Sequence, residues 1–144
     1  MLRIGGWILL AALALAVAIA GCAQQPGEAA VEEPASVEEI ENSELSRITL
    51  SERAAERLGI ETAAVAEQDG RLTIPYAALL YDAEGQTWAY TSPAENVFVR
   101  HEVVVDQIDG DVAFVFLGPP AGTVVVTTGV AELFGTETGV GGGH

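Results

Sequence analysis

The feature that most constrains this chain is the stretch from Arg71 to Leu133. Strand-like apolar runs alternate there with clusters of turn-forming residues, and most of the aromatic residues lie within it. Leu72-Thr73-Ile74 reads as a strand ended by Pro75, which cannot donate to a sheet ladder. Tyr76–Tyr81 is a short apolar segment that fits either a helical turn or a strand. Asp82-Ala83-Glu84-Gly85 then carries Asp and Gly where a turn wants them. Thr87–Thr91 returns as a strand, and Ser92–Asn96 turns again. The longest alternating run follows. Val97, Val99, His101, Val103 and Val105 share one face, expected to be buried. Phe98, Arg100, Glu102, Val104 and Asp106 share the other, expected to be mostly wet. Asp109-Gly110 is a hairpin turn. Val112–Leu117 is wholly apolar and so belongs at a sheet centre. Gly118–Gly122 makes a loop, and Val124–Thr128 is a strand ended by Gly129.

Upstream of this module, Ile48-Thr49-Leu50 predicts a brief strand and Ser51 the N-cap of a helix over ERAAERL. Gly59 stands where a left-handed C-terminal residue is wanted, and Leu50, Ala54, Leu58 and Ile60 can share a buried face. Arg53/Arg57 and Glu52/Glu56 are like-charge pairs at helical spacing, so this helix depends on packing. Glu61–Ala66 reads as extended, and Gln68-Asp69-Gly70 as a turn. The expected fold is mainly β: a small antiparallel sheet or roll of six or seven strands with one short helix. Thr136–His144 is expected to be mobile, with residues 139–144 a flexible tail beyond a domain spanning 47–138.

The N-terminal third reads as delivery apparatus. Met1-Leu2-Arg3 is a short basic region, and Ile4–Ala20 is an uncharged apolar run. Small residues follow at Gly21, directly before Cys22, the chain's one cysteine. A basic start, an apolar run and small residues before a cut site describe a secretory signal over residues 1–21. The cysteine in that place resembles the bacterial lipobox, which implies lipidation of Cys22 and a cell-membrane anchor outside the cytoplasm, periplasmic or on the outer face. Two or three acyl chains anchor stably where one does not. The competing reading is a retained transmembrane anchor, since the run is just long enough to span. Residues 22–46 then form an acidic linker. Ala23–Glu44 holds seven Glu, two Pro, no aromatic and no basic residue, a composition that favours disorder and like-charge extension.

The 144 residues carry six arginines, no lysine and 21 acidic residues, a formal net charge of −15 at pH 7. So acidic a chain is unsuited to nucleic acid or to electrostatic docking on anionic lipid. One cysteine excludes an internal disulfide and a cysteine-rich metal site. No catalytic constellation is visible: Ser51 and Ser92 have no His or acid at recognisable spacing. Asp106, Asp109 and Asp111 flank a turn without the spacing or the closing Glu of a calcium loop. His101 reads as a satisfied or edge residue, and His144 follows three glycines at the chain's end. Trp88, Tyr90 and Phe98 suit cross-strand packing. The expectation is therefore a protein that is not an enzyme and that uses no cofactor and no metal.

Four segments in order, IPYAALLYDAEGQTWAYT, FVRHEVVVDQIDGD, GPPAGTVVVTTG and VAELFGTETGV, resemble the membrane-proximal region of periplasmic adaptor subunits. These are the membrane-fusion proteins of RND-type and related efflux systems. The matching positions are Pro75, Ala78, Asp82, Gly85, Trp88 and Tyr90, then Arg100, Val103, Gly118, Gly122, Val125, Val126 and Gly129. ITLSERAAERLGIETAAV is similar to the segment that opens many such adaptors, so the resemblance spans residues 48–140. It implies docking on a transporter permease or ATPase subunit through the Arg71–Leu133 sheet. Where a full adaptor carries a lipoyl-like domain, a coiled-coil hairpin and a β-barrel, Val65-Ala66-Glu67 here runs almost directly into Gly70-Arg71-Leu72. No stretch has the heptads of a hairpin, so this chain is not expected to bridge two membranes. The other function class is a stand-alone binding lipoprotein, for metal cations, using the acidic surface with His101 and His144.

Overall fold

A computed structural model describes residues 31–139, which form one compact unit from Glu32 onward. The expected signal over residues 1–21, Cys22, the expected linker before Val31 and the expected tail from 140 to His144 lie outside the described residues. Among the described residues eleven strands run in chain order. They are β1 (Ala35–Glu39), β2 (Ser46–Leu50), β3 (Glu61–Ala64), β4 (Ala66–Gln68), β5 (Arg71–Pro75) and β6 (Leu80–Tyr81), then β7 (Thr87–Ala94), β8 (Val97–Glu102), β9 (Val104–Asp109), β10 (Val112–Leu117) and β11 (Val124–Thr128). Helix α1 spans Glu52–Leu58 and α2 spans Val130–Glu137, and a 3-10 turn covers Tyr76–Ala78. The mainly β class is as expected, with two antiparallel sheets and two short helices.

The larger sheet has the order β1-β2-β8-β7-β11-β3, with β6 added beside β7; the smaller has the order β4-β5-β10-β9. The period-2 alternation of strands makes the larger sheet two-faced. Ile48, Tyr90, Phe98 and Val126 point to one side, where they bury Ala54 and Ala55 of α1 and Val130 and Leu133 of α2. Their neighbours in sequence, Ala89 and Val125, point to the other side and meet Ile74, Ala113 and Val115 of the smaller sheet, with Val103 beside them. The result is three layers, helices on sheet on sheet, with an apolar core in each gap. Val112–Leu117 is central in its sheet, between β5 and β9, as its apolar run predicted.

Four expectations are corrected. The strand count exceeds six or seven, because several elements are only two to five residues long and carry little sequence signal. The acidic linker does not stay unstructured to residue 46: Ala35–Glu39 pairs with Ser46–Leu50 in full register. An edge strand needs backbone partners more than buried side chains, and β1 leaves Ser36, Val37, Glu38 and Glu39 exposed. The alternating run from Val97 is not one strand. It crosses from the larger sheet to the smaller at Val103, whose N–H donates to the Thr87 carbonyl (2.9 Å). Before that crossing the even residues face the helical layer, so Phe98 is buried and His101 exposed, the reverse of the expected faces. Lastly, Thr136 and Glu137 belong to α2 rather than to a mobile tail.

The local signals around α1 hold. The Ser51 hydroxyl accepts from the Ala54 N–H (3.2 Å), and Gly59 adopts φ 62° as the left-handed cap. Gly129, at φ 93°, turns β11 into α2, and a Cβ there would collide with Ile60 Cδ1. The positive φ is what asks for glycine here, since Ile60 Cδ1 is the free end of a side chain that can turn aside.

Candidate functional site

The most organised polar cluster joins α2 to the helical face of the larger sheet. It starts from strand pairing: β7 and β8 align Trp88 with Glu102 and Tyr90 with Arg100, which sets Tyr90 and Arg100 side by side on that face. Helix α2 brings Glu137 over them from its last turn. The Tyr90 hydroxyl donates to Glu137 Oε2 (2.5 Å), and Arg100 Nε lies 2.8 Å from the same oxygen. The Arg100 and Glu137 side chains are 13% and 4% exposed, so this is a largely buried ion pair. Its geometry is imperfect: the Arg100 Nε–H is close to the carboxylate but not aimed to hydrogen-bond it. The guanidinium compensates by lying over Trp88 (4.7 Å to the ring centre) and near Phe134 (5.5 Å).

The network continues outward. Trp88 Nε1–H donates to Asp82 Oδ2 (2.8 Å), while the other Asp82 oxygen accepts from the Gln86 and Glu84 backbone N–H groups (2.7 and 3.1 Å). The Trp88 bond, with these backbone donors, holds the Asp82 carboxyl below its ordinary value. Burial, then the bond to Glu137 and its charge, push the Tyr90 hydroxyl well above the usual tyrosine range. Tyr90 is therefore a hydrogen-bond donor at neutral pH and not a base. The cluster fastens a helix to a sheet; it presents no nucleophile to an acid or base.

An open cleft of about 370 Å³ lies beside it, walled by Trp88, Arg100, His101 and Glu102 and by Ser43 to Leu45. A second, more apolar groove of about 580 Å³ runs between β1, α1 and α2, with Ala35, Leu50, Ala54 and Leu58 in its walls. His101 is exposed, its Nδ1 2.9 Å from the Glu102 carbonyl oxygen, to which it donates. Among the described residues no group of three or more His, Cys, Asp or Glu is placed to hold a metal ion. Asp106 pairs with Arg71 (3.3 Å), and Asp109 and Asp111 flank the exposed β9–β10 turn. Ser51 is a helix cap, and the Ser92 hydroxyl donates to the Ala94 carbonyl (3.0 Å). Tyr90 and Phe98 are core residues, and Trp88 is half-buried.

Sequence reasoning missed Arg100 and Glu137 as partners, having set one on a wet face and the other in a tail. Val130, Leu133 and Phe134 do stand at helical spacing, with Glu137 one turn on. That signal was masked by a glycine at the N-cap in place of Ser or Asp, and by Gly135 and Thr136 within the helix.

No known protein family, curated protein or solved structure matches this chain. Among the described residues no helix is long and apolar enough to cross a membrane.

Proposed function

We propose that this protein is a lipid-anchored accessory subunit outside the cytoplasm, similar to the membrane-proximal region of an efflux adaptor, that docks on a membrane transporter. Cys22 carries the anchor, and the strand-rich module from Arg71 to Leu133 carries the docking surface. The observation that supports this most is continuity. The opening segment falls on β2, α1 and β3 and the four ordered segments run from β5 to α2, all in one three-layer unit, and β4 turns into β5 through Asp69-Gly70 with no inserted domain. The positions shared with adaptors also recur at points of structural demand: Gly129 at the β11–α2 junction, Asp82 and Trp88 in one hydrogen bond, Arg100 in the ion pair to α2.

Affinity purification of the full chain from detergent-solubilised membranes tests the reading. A permease or ATPase subunit should co-purify from wild-type cells, and Cys22→Ala should move the chain out of the membrane fraction. Tight attachment of the Cys22→Ala chain would support a retained transmembrane anchor instead. Purification of the chain alone would refute the transporter partner.

A further inference from the structure

The smaller sheet ends in a lip that the core does not explain. The β9–β10 register runs Phe114 with Gln107, Val115 with Val105, then Leu117 with Val104, which leaves Asp106 and Phe116 unmatched. Two adjacent irregularities of this kind bend a strand and re-aim its side chains. Their effect is seen by comparing two phenylalanines on one strand. Phe114 is 7% exposed beneath the Arg71 guanidinium, 4.0 Å from its ring centre, whereas Phe116 is 86% exposed. Leu117 (47%) and its partner Val104 (42%) flank it, and Pro120 and Ala121 of the following loop are exposed as well. This loop is held in place. Pro119 is buried, Gly122 N–H donates to the Val65 carbonyl, and Val65 N–H donates to the Thr123 carbonyl, both at 2.8 Å.

The chemistry of the lip is unlike that of the rest of the domain. Residues 31–139 contain 20 acidic side chains, yet none of the residues from Val112 to Ala131 is charged, and Val103-Val104-Val105 is uncharged too. From Phe116 to Gly122 no side chain offers a hydrogen-bond donor or acceptor. The polar border lies only on the β9 side, at Glu102 and the Arg71–Asp106 pair, so from Phe116 to Gly122 a protein partner would find no orienting side-chain group. A bilayer surface asks for none: an aromatic residue and a few aliphatic ones suffice at the headgroup boundary. The acidic remainder disfavours anionic lipid, so the surface that fits is zwitterionic. Reach is adequate. Twelve residues, Ala23–Pro34, separate Cys22 from β1, and fully extended they span about 40 Å.

We infer that the Phe116–Leu117–Val104 lip rests on the lipid surface, orienting the domain on the membrane that anchors it. This rests on the reading of Cys22 as lipidated. The lip alone is small and would bind weakly, and the tether makes the contact intramolecular by keeping it at high local concentration.

The test uses the full lipidated chain in phosphatidylcholine vesicles, with and without brominated acyl chains. Phe116→Trp is compared with Tyr76→Trp, an exposed position at the opposite end of the smaller sheet. Trp88 supplies the common background. Brominated lipid should quench the added emission of Phe116→Trp at least twofold more than that of Tyr76→Trp. Equal quenching on vesicles that float with the protein would overturn the lip contact while leaving the anchor intact. Failure of the wild-type chain to float with vesicles would overturn both. A photo-crosslinker at position 116 that traps a single polypeptide in cells, and no lipid, would show a protein interface and also overturn it.

Discussion

Replacing Glu137 should be among the most damaging single changes, and the structure sets the scale. Glu137→Ala leaves the Arg100 charge, 13% exposed, without its counter-charge, and the buried Tyr90 hydroxyl without its acceptor. Breaking a buried pair by removing one partner costs about 3–5 kcal/mol. Arg100 keeps its contact with Trp88 and an edge on the open cleft, so the lower end, about 3 kcal/mol, is expected. Replacing both charges by apolar residues of similar volume, Arg100→Met with Glu137→Leu, removes the unpaired charge altogether. That double variant still leaves the Tyr90 hydroxyl without an acceptor, so it should recover only part of the loss and lie about 1–2 kcal/mol below wild type. Equilibrium urea unfolding followed by circular dichroism reads the difference. With a denaturant slope of about 1.5 kcal/mol per molar, the Glu137→Ala midpoint should fall by about 2 M. A fall below about 0.5 M, or a double variant as unstable as the single one, would refute the account of α2 as a helix fastened by this pair.

Three further outcomes follow from the same structure. The ordinary tyrosine value is 10.0, and folding raises that of Tyr90. Above about pH 10 the unfolded chain loses this proton while the folded chain keeps it, so stability falls with rising pH, by up to about 1.4 kcal/mol per unit. Tyr90→Phe should flatten that alkaline slope. Asp82 is held below its ordinary value of 3.8, so its contribution is present above that pH and lost as the pH falls below it. Trp88 fluorescence should report loss of the Nε1–H bond in that acidic window, and Asp82→Asn should abolish the acid transition. Gly129→Ala places a side chain at φ 93° and against Ile60. Thermal unfolding should show a loss of about 1 kcal/mol or more, set by the positive φ, and the companion Ile60→Ala should relieve only the smaller part due to contact.

Much of the fold was legible because its signals are local. The Ser51 cap, the Gly59 stop, the Asp82–Gly85 turn and the apolar run of β10 each carry their own physical reason, and each stands where expected. What failed depended on distant partners. Nothing within Val97–Asp109 announces that the chain changes sheets at Val103, since the alternation continues unbroken across the crossing while the meaning of odd and even reverses. The acidic composition of Ala35–Glu39 hides a strand because edge pairing is a backbone matter. The site cluster was the least legible part. Arg100 and Glu137 are 37 positions apart, and their pairing exists only once α2 has folded back over β7 and β8.

The central claim is association with a membrane transporter, and in-cell crosslinking of the full chain, followed by mass spectrometry of what is joined to it, tests that most directly. The account predicts a permease or ATPase subunit, with crosslinks falling between Arg71 and Leu133. Recovery of the chain unjoined, under conditions that capture other membrane complexes in the same cells, would contradict it.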